Sequence, residues 1–537
     1  MLYGINIYLP MQNSNEINYN NHMRKLFFLV FFLSALPGLA QQDAFEKFKQ
    51  QQNDRFNQFK EDKQAEYDAF RKRVNDEYAE FMRKAWKVFP VQEVVQPIEE
   101  KEVPPVVYEE PQPQPAPQPQ PQPQPKEDIK PLPSPKPTIE TQPVQIPVKP
   151  KVEVVPQPAP APEPIAPVKP KEAPYKKVSI GYYGSIITVG FPENDALKLK
   201  AASEKAIADA WQILADSRYD ITVSSVLNAR KNNSLCDWAY MKMLQAVTEK
   251  QYGKTNEAVL AQAFLMTQSG YRVRIGMSNG RLCLLVASQY AILGYRFYKI
   301  NGSSFYDISG EKHEDMQICE SKYEKEKSLS LQIASLPKIG NDPSPKRTLT
   351  SKKGVTASVS VNKNLIDFFN TYPQASINGN FTTRWAAYAN TPVEKSVKDM
   401  LYPPLKKTIS GMNERDAVGI LLNWVQTAFE YGYDDKIWGR DRAFFAQETL
   451  YYPYSDCEDR AILFSRLVRD LVGMDVVLLY YPGHLAAAVA FNDDVNGDWL
   501  TYKQRRYVVC DPTYINAGVG RTMPGMNNQE AQVIALK

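Results

Sequence analysis

The sequence predicts an α+β protein whose globular part lies in its C-terminal two thirds. Residues 175–537 mix helical apolar patterns with short apolar strands, a combination typical of this class. Of the 41 prolines, 27 fall between Pro90 and Pro174, in a stretch without glycine. Such a segment cannot bury a hydrophobic core, so it separates the globular part from the sequence before it.

Composition excludes several functional classes. The 64 Lys and Arg residues nearly balance the 60 Asp and Glu residues, which gives a net charge of +4 and no basis for a nucleic-acid-coating protein. Five cysteines in 537 residues exclude a disulfide-built scaffold, and three histidines leave little for a His-rich metal site. We therefore expect no cofactor and no metal.

Residues 1–40 contain the features of an export signal. A basic start at Met23 precedes a short apolar run and a small-x-small cleavage site at Gly38 and Ala40. The apolar run is short for a transmembrane helix, although an uncleaved anchor is the alternative. We expect translation to begin at Met23 and the mature chain to begin near Gln41, in the periplasm or at the cell surface.

Residues 41–89 predict an amphipathic helical rod, and residues 42–85 within it read as four 11-residue units. Both aromatic rows lie on one helix face, because eleven residues span about three helical turns. The rows are Phe45, Phe56, Tyr67, Tyr78 and Phe89, and Phe48, Phe59, Phe70 and Phe81. An isolated helix would leave this stripe in water. We therefore expect self-association as a coiled coil, or packing on an envelope partner or a membrane surface.

Residues 90–174 form the proline-rich linker. Alternating Pro-Gln, Pro-Lys and Pro-Glu pairs favour extended polyproline II structure. We interpret the linker as a spacer between the rod and the globular part, and a ligand for a proline-binding domain is the alternative.

Cys457 is the main candidate for a reactive side chain. It follows Ser455 and Asp456, which predict a loop and a helix cap, and it precedes an apolar helix face that ends at Gly473. At a helix N-terminus, the dipole and the free N–H groups favour a thiolate. The same N–H groups can stabilise an oxyanion.

His484 and Asp511 lie at the ends of predicted strands. Residues 474–481 and 484–491 are predicted to form two strands joined by a Pro-Gly turn, and residues 506–511 a later strand. A meander of antiparallel strands can place His484 and Asp511 side by side.

Taken in order, these residues resemble the transglutaminase-like superfamily within the broad group of papain-like cysteine enzymes. The resemblance covers roughly residues 360–520. It is carried by Asp456-Cys457-Glu458-Asp459-Arg460-Ala461, by Gly483-His484 opening a strand, and by Cys510-Asp511-Pro512-Thr513.

The resemblance implies a triad and a reaction. Cys457 would be the nucleophile, His484 the base that later protonates the leaving amine, and Asp511 the group that orients the imidazole. The implied reaction is acyl transfer on an amide through a thioester. Water as the second substrate gives hydrolysis, and an amine gives cross-linking.

Other residues near this triad have roles that the sequence leaves open. Glu458 and Asp459 either face outward or brace the site, and Gln447 or Tyr454 is a candidate for a second oxyanion donor. Cys510 alternates to the strand face opposite Asp511 and is expected in the core.

A possible calcium loop follows the second predicted strand. The pattern Asn492-x-Asp494-x-Asn496-Gly497 is similar to the start of such a loop, but Lys503 stands where the loop needs a glutamate. We interpret it as a hairpin turn.

Residues 175–345 are interpreted as a degenerate transglutaminase-like copy of the catalytic domain, residues 346–537. With an offset of 203, Lys254 stands at the position of Cys457, Arg281 at that of His484, and Asp307 one residue from that of Asp511. Chance similarity between apolar strands is the alternative. A copy without nucleophile or base should bind or scaffold.

The remaining cysteines and histidine of this region suggest no site. Cys236, Cys283 and Cys319 have no visible catalytic partner, and His313 lies in a charged run that is expected to face solvent.

The combined expectation is an exported cysteine-dependent enzyme that acts on peptide or isopeptide bonds of a protein or peptide substrate. Abundant water favours hydrolysis, and nothing marks a site for an amine acceptor. The alternatives are a cross-linking transglutaminase, a non-catalytic envelope scaffold, and a surface adhesin with the linker as its stalk.

Overall fold

The structure is a computed structural model that describes most of the chain between residues 39 and 537. Predicted signal residues 23–38 and linker residues 110–152 lie outside the described part. The described residues are 39–96, 102–109, 153–154, 162–166, 168–170, 173–311, 313, 315–322, 325–377, 379–527 and 530–537. Within these ranges, no helix has the length and apolar character needed to cross a membrane.

Helices and strands are mixed along the chain, which confirms the α+β class. In chain order they are α1 (Leu39–Met82), β1 (Lys87–Phe89), β2 (Glu153–Val154), β3 (Tyr175–Tyr182), β4 (Ser185–Pro192), α2 (Glu204–Leu214), α3 (Asp220–Asn232), α4 (Asp237–Tyr252), α5 (Asn256–Gln268), β5 (Val273–Ser278), β6 (Arg281–Ala287), β7 (Tyr290–Ile292), β8 (Phe297–Ile300), β9 (Ser303–Asp307), β10 (Met316–Ile318), β11 (Arg347–Thr350), β12 (Thr356–Val359), α6 (Lys363–Asn370), β13 (Ala375–Ile377), α7 (Arg384–Asn390), α8 (Lys395–Ile409), α9 (Glu414–Thr427), β14 (Glu430–Tyr431), α10 (Asp434–Ile437), α11 (Ala446–Tyr451), β15 (Tyr454–Ser455), α12 (Cys457–Leu471), β16 (Val476–Tyr481), β17 (His484–Val489), β18 (Trp499–Tyr502), β19 (Arg505–Cys510) and β20 (Gln532–Ala535).

The described chain divides into two compact units, with the boundary between Asp68 and Ala69. The described part of the first unit is helical, as the 11-residue repeat predicts, but the helix ends at Met82 and Phe89, the last residue of the predicted rod, lies in β1. Its aromatic side chains Phe48, Phe56, Phe59 and Tyr67 are each more than a third exposed. Self-association through this surface stays a prediction.

The last turns of α1 belong to the second unit and pack into its core. Tyr78 is 3% exposed, and its ring centroid lies 4.9 Å from that of Trp211. Arg71 pairs with the buried Asp220 through two hydrogen bonds of 2.9 and 3.0 Å. Tyr78 is therefore covered by the chain itself, a partner that the sequence interpretation did not consider, whereas Phe81 in the same turns is 48% exposed.

Two six-stranded sheets dominate the second unit. Strands that correspond in chain order, such as β5 and β16 or β6 and β17, occupy the same positions in the two sheets. We call residues 175–345 the first lobe and residues 346–537 the second lobe. The sheet of the first lobe, with β1 at its edge, runs β8-β9-β6-β5-β10-β1, and the sheet of the second lobe, with β2 at its edge, runs β18-β19-β17-β16-β20-β2. Each central hairpin follows a helix, α5 in the first lobe and α12 in the second.

The central hairpins also share their register. Val273 pairs with Val286 in the first lobe and Val476 with Val489 in the second, an offset of 203 at both positions. The next strand departs from the predicted alignment. Leu285 pairs with Asp307, whereas Ala488 pairs with Val509. Asp307 therefore lies at the level of Val509, two residues before the Asp511 position, and not one residue from it.

Described parts of the predicted linker lie against both lobes. Val103 N donates to Gly483 O at 3.0 Å, and Tyr108 N donates to Ile515 O at 2.8 Å in the second lobe. Ile165 N donates to Gln268 O at 3.1 Å in the first lobe. The interpretation of residues 90–174 as a spacer did not anticipate these contacts.

Candidate active site

Cys457 is the first residue of helix α12. Asp456 caps the helix because its side chain accepts from Asp459 N at 3.3 Å, while the Asp459 carboxylate accepts from Asp456 N at 3.4 Å. The helix start predicted at Ser455 and Asp456 is confirmed. Cys457 is 3% exposed, so the thiol is held inside the lobe.

His484 and Asp511 meet across two neighbouring strands. Gly483, at φ +73°, makes the turn after which His484 opens β17, and Asp511 directly follows β19. His484 Nε2 lies 2.8 Å from Asp511 Oδ2. The other carboxylate oxygen, Oδ1, accepts from Thr513 N at 2.8 Å, which fixes the direction of the Asp511 side chain.

Cys457 and His484 line one cavity of about 670 Å³, but their reactive atoms are not hydrogen-bonded to each other. The thiol donates to Glu458 Oε2 at 3.2 Å. His484 Nδ1 is buried and has no hydrogen-bond partner among the described residues.

The electrostatics around Cys457 oppose the thiolate that its position on the helix predicts. Burial raises the pKa of the Cys457 thiol well above its usual range, and the carboxylates of Glu458 and Asp456 raise it further. The Leu485 backbone N–H acts in the opposite direction. Burial and these carboxylates therefore oppose the effect expected of the helix N-terminus, which stays a prediction.

Acidic side chains from four segments surround the thiol. The carboxylates of Glu102, Asp434 and Asp456 form one set whose oxygens lie within 4.8 Å of one another, and Asp434, Asp441 and Glu458 form another. Burial, followed by the charge of Glu458, raises the pKa of Asp434 to about 9. Such oxygen-only sets can hold a hard divalent cation or share protons.

Both of the acids that follow Cys457 face inward. Glu458 is 5% exposed and lies beside the thiol, with Oε1 3.6 Å from Arg384 Nη2. Asp459 is 1% exposed and accepts from Phe444 N at 2.8 Å. The outward-facing interpretation is wrong for both, and the bracing interpretation agrees with these contacts.

The candidate oxyanion donors Gln447 and Tyr454 do not line the cavity. Gln447 is buried, and its amide oxygen accepts from Glu394 N at 2.8 Å. Tyr454 is 42% exposed. Trp385 does line the cavity, and its buried Nε1 has no hydrogen-bond partner among the described residues.

Sequence reasoning missed the residues that reach this cavity from distant segments. Arg384 opens α7, is 1% exposed and binds Asp441 Oδ2 at 2.6 Å. Glu102 belongs to the predicted linker and accepts from Asp434 N at 3.1 Å. No local pattern marks either residue, because their roles depend on long-range packing.

Two other predictions near the triad agree with the structure. Cys510 is fully buried in the core, as its strand alternation predicts. The side chain and backbone of Asn492 donate to Glu414, and Asp494 pairs with Arg506, so both side chains serve structural contacts. These contacts favour the hairpin-turn interpretation over a calcium loop.

The first lobe presents different residues at the corresponding edge of its sheet. Lys254 and Arg281 are both exposed. His313 is only 8% exposed, and its Nε2 lies 3.0 Å from Cys283 Sγ. The expectations that His313 faces solvent and that Cys283 lacks a partner are therefore wrong, because the loop after β9 folds back over β6.

Comparison with known proteins adds no family assignment. No protein-family model matches the chain, and neither the curated proteins nor the solved structures contain a match.

Proposed function

We propose that the second lobe is a transglutaminase-like cysteine enzyme that transfers acyl groups from peptide or isopeptide bonds, chiefly to water. One observation carries this proposal. The Asp511 carboxylate holds His484 Nε2 at 2.8 Å and leaves Nδ1 without a partner, in the cavity that Cys457 lines. An imidazole held through one nitrogen can use the other as a base toward the nucleophile.

The reaction begins with proton transfer from the Cys457 thiol to His484 Nδ1. The sulfur then bonds to the substrate carbonyl carbon, and the carbonyl oxygen takes the negative charge. The Cys457 backbone N–H at the start of α12 and the indole N–H of Trp385 are the available donors to that oxygen.

Collapse of this intermediate breaks the carbon–nitrogen bond. The imidazolium gives its proton to the leaving amine, and a thioester remains on Cys457. Water, deprotonated by His484, then attacks the thioester, which releases a carboxylic acid and restores the thiol. A primary amine in place of water would form a new amide.

The same proposal assigns roles to the rest of the chain. The first lobe, with Lys254 and Arg281 at the positions that correspond to Cys457 and His484, serves as a non-catalytic binding scaffold. The enzyme acts outside the cytoplasm after cleavage near Ala40. The exposed aromatic side chains of α1 join copies of the chain or an envelope partner.

The test compares the wild-type chain with Cys457→Ala and with Cys510→Ala, which removes a different buried thiol. Each is incubated with a mixed peptide pool and a fluorescent primary amine, and products and intact protein are analysed by mass spectrometry. We expect new peptide carboxyl ends and a thioester adduct with wild type and Cys510→Ala only. Amine incorporation in place of hydrolysis would establish the transglutaminase alternative.

One observation favours a non-catalytic scaffold as the second candidate. Burial and the neighbouring carboxylates raise the pKa of the Cys457 thiol, and a scaffold needs no thiolate. A scaffold would give neither product nor adduct in this experiment, and its partner binding would survive Cys457→Ala.

A further inference from the structure

A second cluster of chemically reactive side chains lies in the first lobe, away from Cys457. Cys283 lies on β6, Asp307 ends the neighbouring β9, and His313 follows in the next loop. Their relative exposures are 2%, 2% and 8%. The pairing of Leu285 with Asp307 places Cys283 two residues away on the same sheet face.

The three donor atoms form a compact triangle. Cys283 Sγ lies 3.0 Å from His313 Nε2 and 3.8 Å from Asp307 Oδ2. His313 Nε2 lies 3.8 Å from Asp307 Oδ2. A tetrahedral Zn²⁺ with sulfur at about 2.3 Å and nitrogen and oxygen at about 2.0–2.2 Å sets such donors about 3.3–3.6 Å apart. The observed separations need to change by about 0.2–0.6 Å to accept this ion.

The backbone holds two of these residues in place through one arginine. Asp307 N donates to Arg296 O at 2.9 Å, and the Arg296 guanidinium donates to the His313 carbonyl. Asp307 Oδ1 accepts from Ser309 N at 2.9 Å, so Oδ2 is the oxygen that faces the sulfur and the imidazole. The donors are thus positioned before any ion binds.

We propose that Cys283, Asp307 and His313 form a binding site for a divalent transition-metal ion of the Zn²⁺ type. Thiolate and imidazole ligands select such ions over Ca²⁺ and Mg²⁺, which prefer oxygen. Three protein ligands leave a fourth position, and a cavity of about 650 Å³ reaches Cys283 there. Glu311 lines the same cavity, with Oε2 3.6 Å from His313 Nε2, and it or water completes the coordination.

A metal accounts for this cluster better than a second nucleophile does. Cys283 lies inside a strand and gains nothing from a helix N-terminus. The Asp307 and Glu311 carboxylates lie near the same His313 imidazole as the Cys283 sulfur, and a bound dication stabilises a thiolate and both carboxylates at once.

The test titrates the metal-free full chain with Zn²⁺ in competition with a chelating dye, and with Co²⁺ read by absorption. We expect a Zn²⁺ site whose affinity falls by about 100-fold or more in Cys283→Ser and His313→Asn, since even the loss of an outer hydrogen-bond partner costs about 10–100-fold. Co²⁺ should give a thiolate charge-transfer band with wild type that is absent in Cys283→Ser.

Two control variants separate this site from the candidate active site. Cys510→Ser removes an equally buried strand cysteine, and Cys457→Ala removes the proposed nucleophile, so both should keep the affinity and the band. Thermal unfolding of each variant checks its fold, and His313→Asn provides the result if Cys283→Ser does not fold. Absence of the band in wild type, undiminished affinity in both ligand variants, or loss of the band in Cys457→Ala would overturn the proposal.

Discussion

Two opposing influences act on Cys457 at the scale of single residues. Its place at the start of α12 supplies free N–H groups, yet the thiol donates to Glu458 Oε2 at 3.2 Å and the site is buried. Glu458 also lies 3.6 Å from Arg384, so its charge is shared between a cation and the thiol. After burial, the Glu458 carboxylate is therefore the largest influence against a thiolate at Cys457.

Replacing Glu458 with glutamine should make Cys457 more reactive. The change keeps the shape of the side chain and removes a negative charge that raises the thiol pKa. We expect faster alkylation of Cys457 at pH 7, by roughly tenfold for each unit by which the pKa falls. Iodoacetamide labelling read by mass spectrometry measures this, with the half-buried Cys236 as internal control. An unchanged or slower rate at Cys457 would show that Glu458 does not restrain the thiol.

Asp434 should make stability depend on pH. Its pKa is raised to about 9 by burial and by Glu458, whereas its ordinary value is 3.8. The folded chain therefore keeps a proton that the unfolded chain releases above about pH 4, so stability should fall as pH rises from about 4 to about 9. Asp434→Asn cannot ionise, and it should be stabilised relative to wild type by at least about 1.4 kcal/mol at pH 8, the equivalent of one pKa unit.

Urea unfolding at pH 4.5 and pH 8, with a chelator present, measures this difference. The exposed neighbour Asp435 provides the control, because Asp435→Asn should leave the wild-type pH dependence in place. Identical pH dependence in wild type and Asp434→Asn would contradict the interpretation.

At the scale of elements, the 11-residue repeat of α1 places equivalent aromatic residues in different surroundings. Tyr67 and Tyr78 occupy the same position in consecutive repeats, but Tyr67 is 40% exposed and Tyr78 is 3% exposed against Trp211. Burial of an aromatic ring contributes several kcal/mol, so the later repeat is an integral part of the folded unit.

Truncation of these two tyrosines should have unequal effects on stability. Tyr78→Ala should lower the free energy of unfolding by about 3 kcal/mol, the cost of a large cavity. Tyr67→Ala should change it by less than about 0.5 kcal/mol, as surface substitutions do. Chemical denaturation of both variants provides the comparison, and equal destabilisation would show that α1 does not pack as described.

The elements around the candidate site show what the sequence could predict. Local sequence signals were enough to predict the Asp456 cap, the hairpin of β16 and β17, and the strand before Asp511. Caps, turns and the alternation of apolar residues each depend on only a few neighbouring residues. The inward positions of Glu458 and His313 could not be predicted in this way. Their surroundings come from Arg384 and from Cys283, which are 74 and 30 residues away in the chain.

At the scale of the whole molecule, the predicted linker contributes to the site that it was expected to hold at a distance. Glu102 and Pro104 line the cavity beside Cys457, and Val103 N donates to Gly483 O, one residue before His484. Glu102 and Pro104 therefore cover part of the cavity that Cys457 and His484 line.

Loosening the segment of residues 102–109 should expose Cys457. Val103→Pro removes the N–H that donates to Gly483 O. The loss of this hydrogen bond should weaken the binding of the segment to the second lobe by about 1 kcal/mol. The extended backbone before Pro104 tolerates another proline, and alkylation of Cys457 should become about fivefold faster, the equivalent of that free energy. The 55% exposed Val107 gives a control, Val107→Ala, that should keep the wild-type rate. Equal rates in all three chains would mean that the segment does not limit access.

The measurement that decides most directly whether the second lobe is an enzyme is alkylation of Cys457 in wild type and in His484→Ala. If His484 accepts the thiol proton, wild type should react at least about 100-fold faster at pH 7, within the range for a positioned general base. Labelling of Cys510, fully buried on β19, should be the same in both chains. A Cys457 that reacts at one rate with or without His484 would contradict the proposed triad and leave the lobe as a binding scaffold.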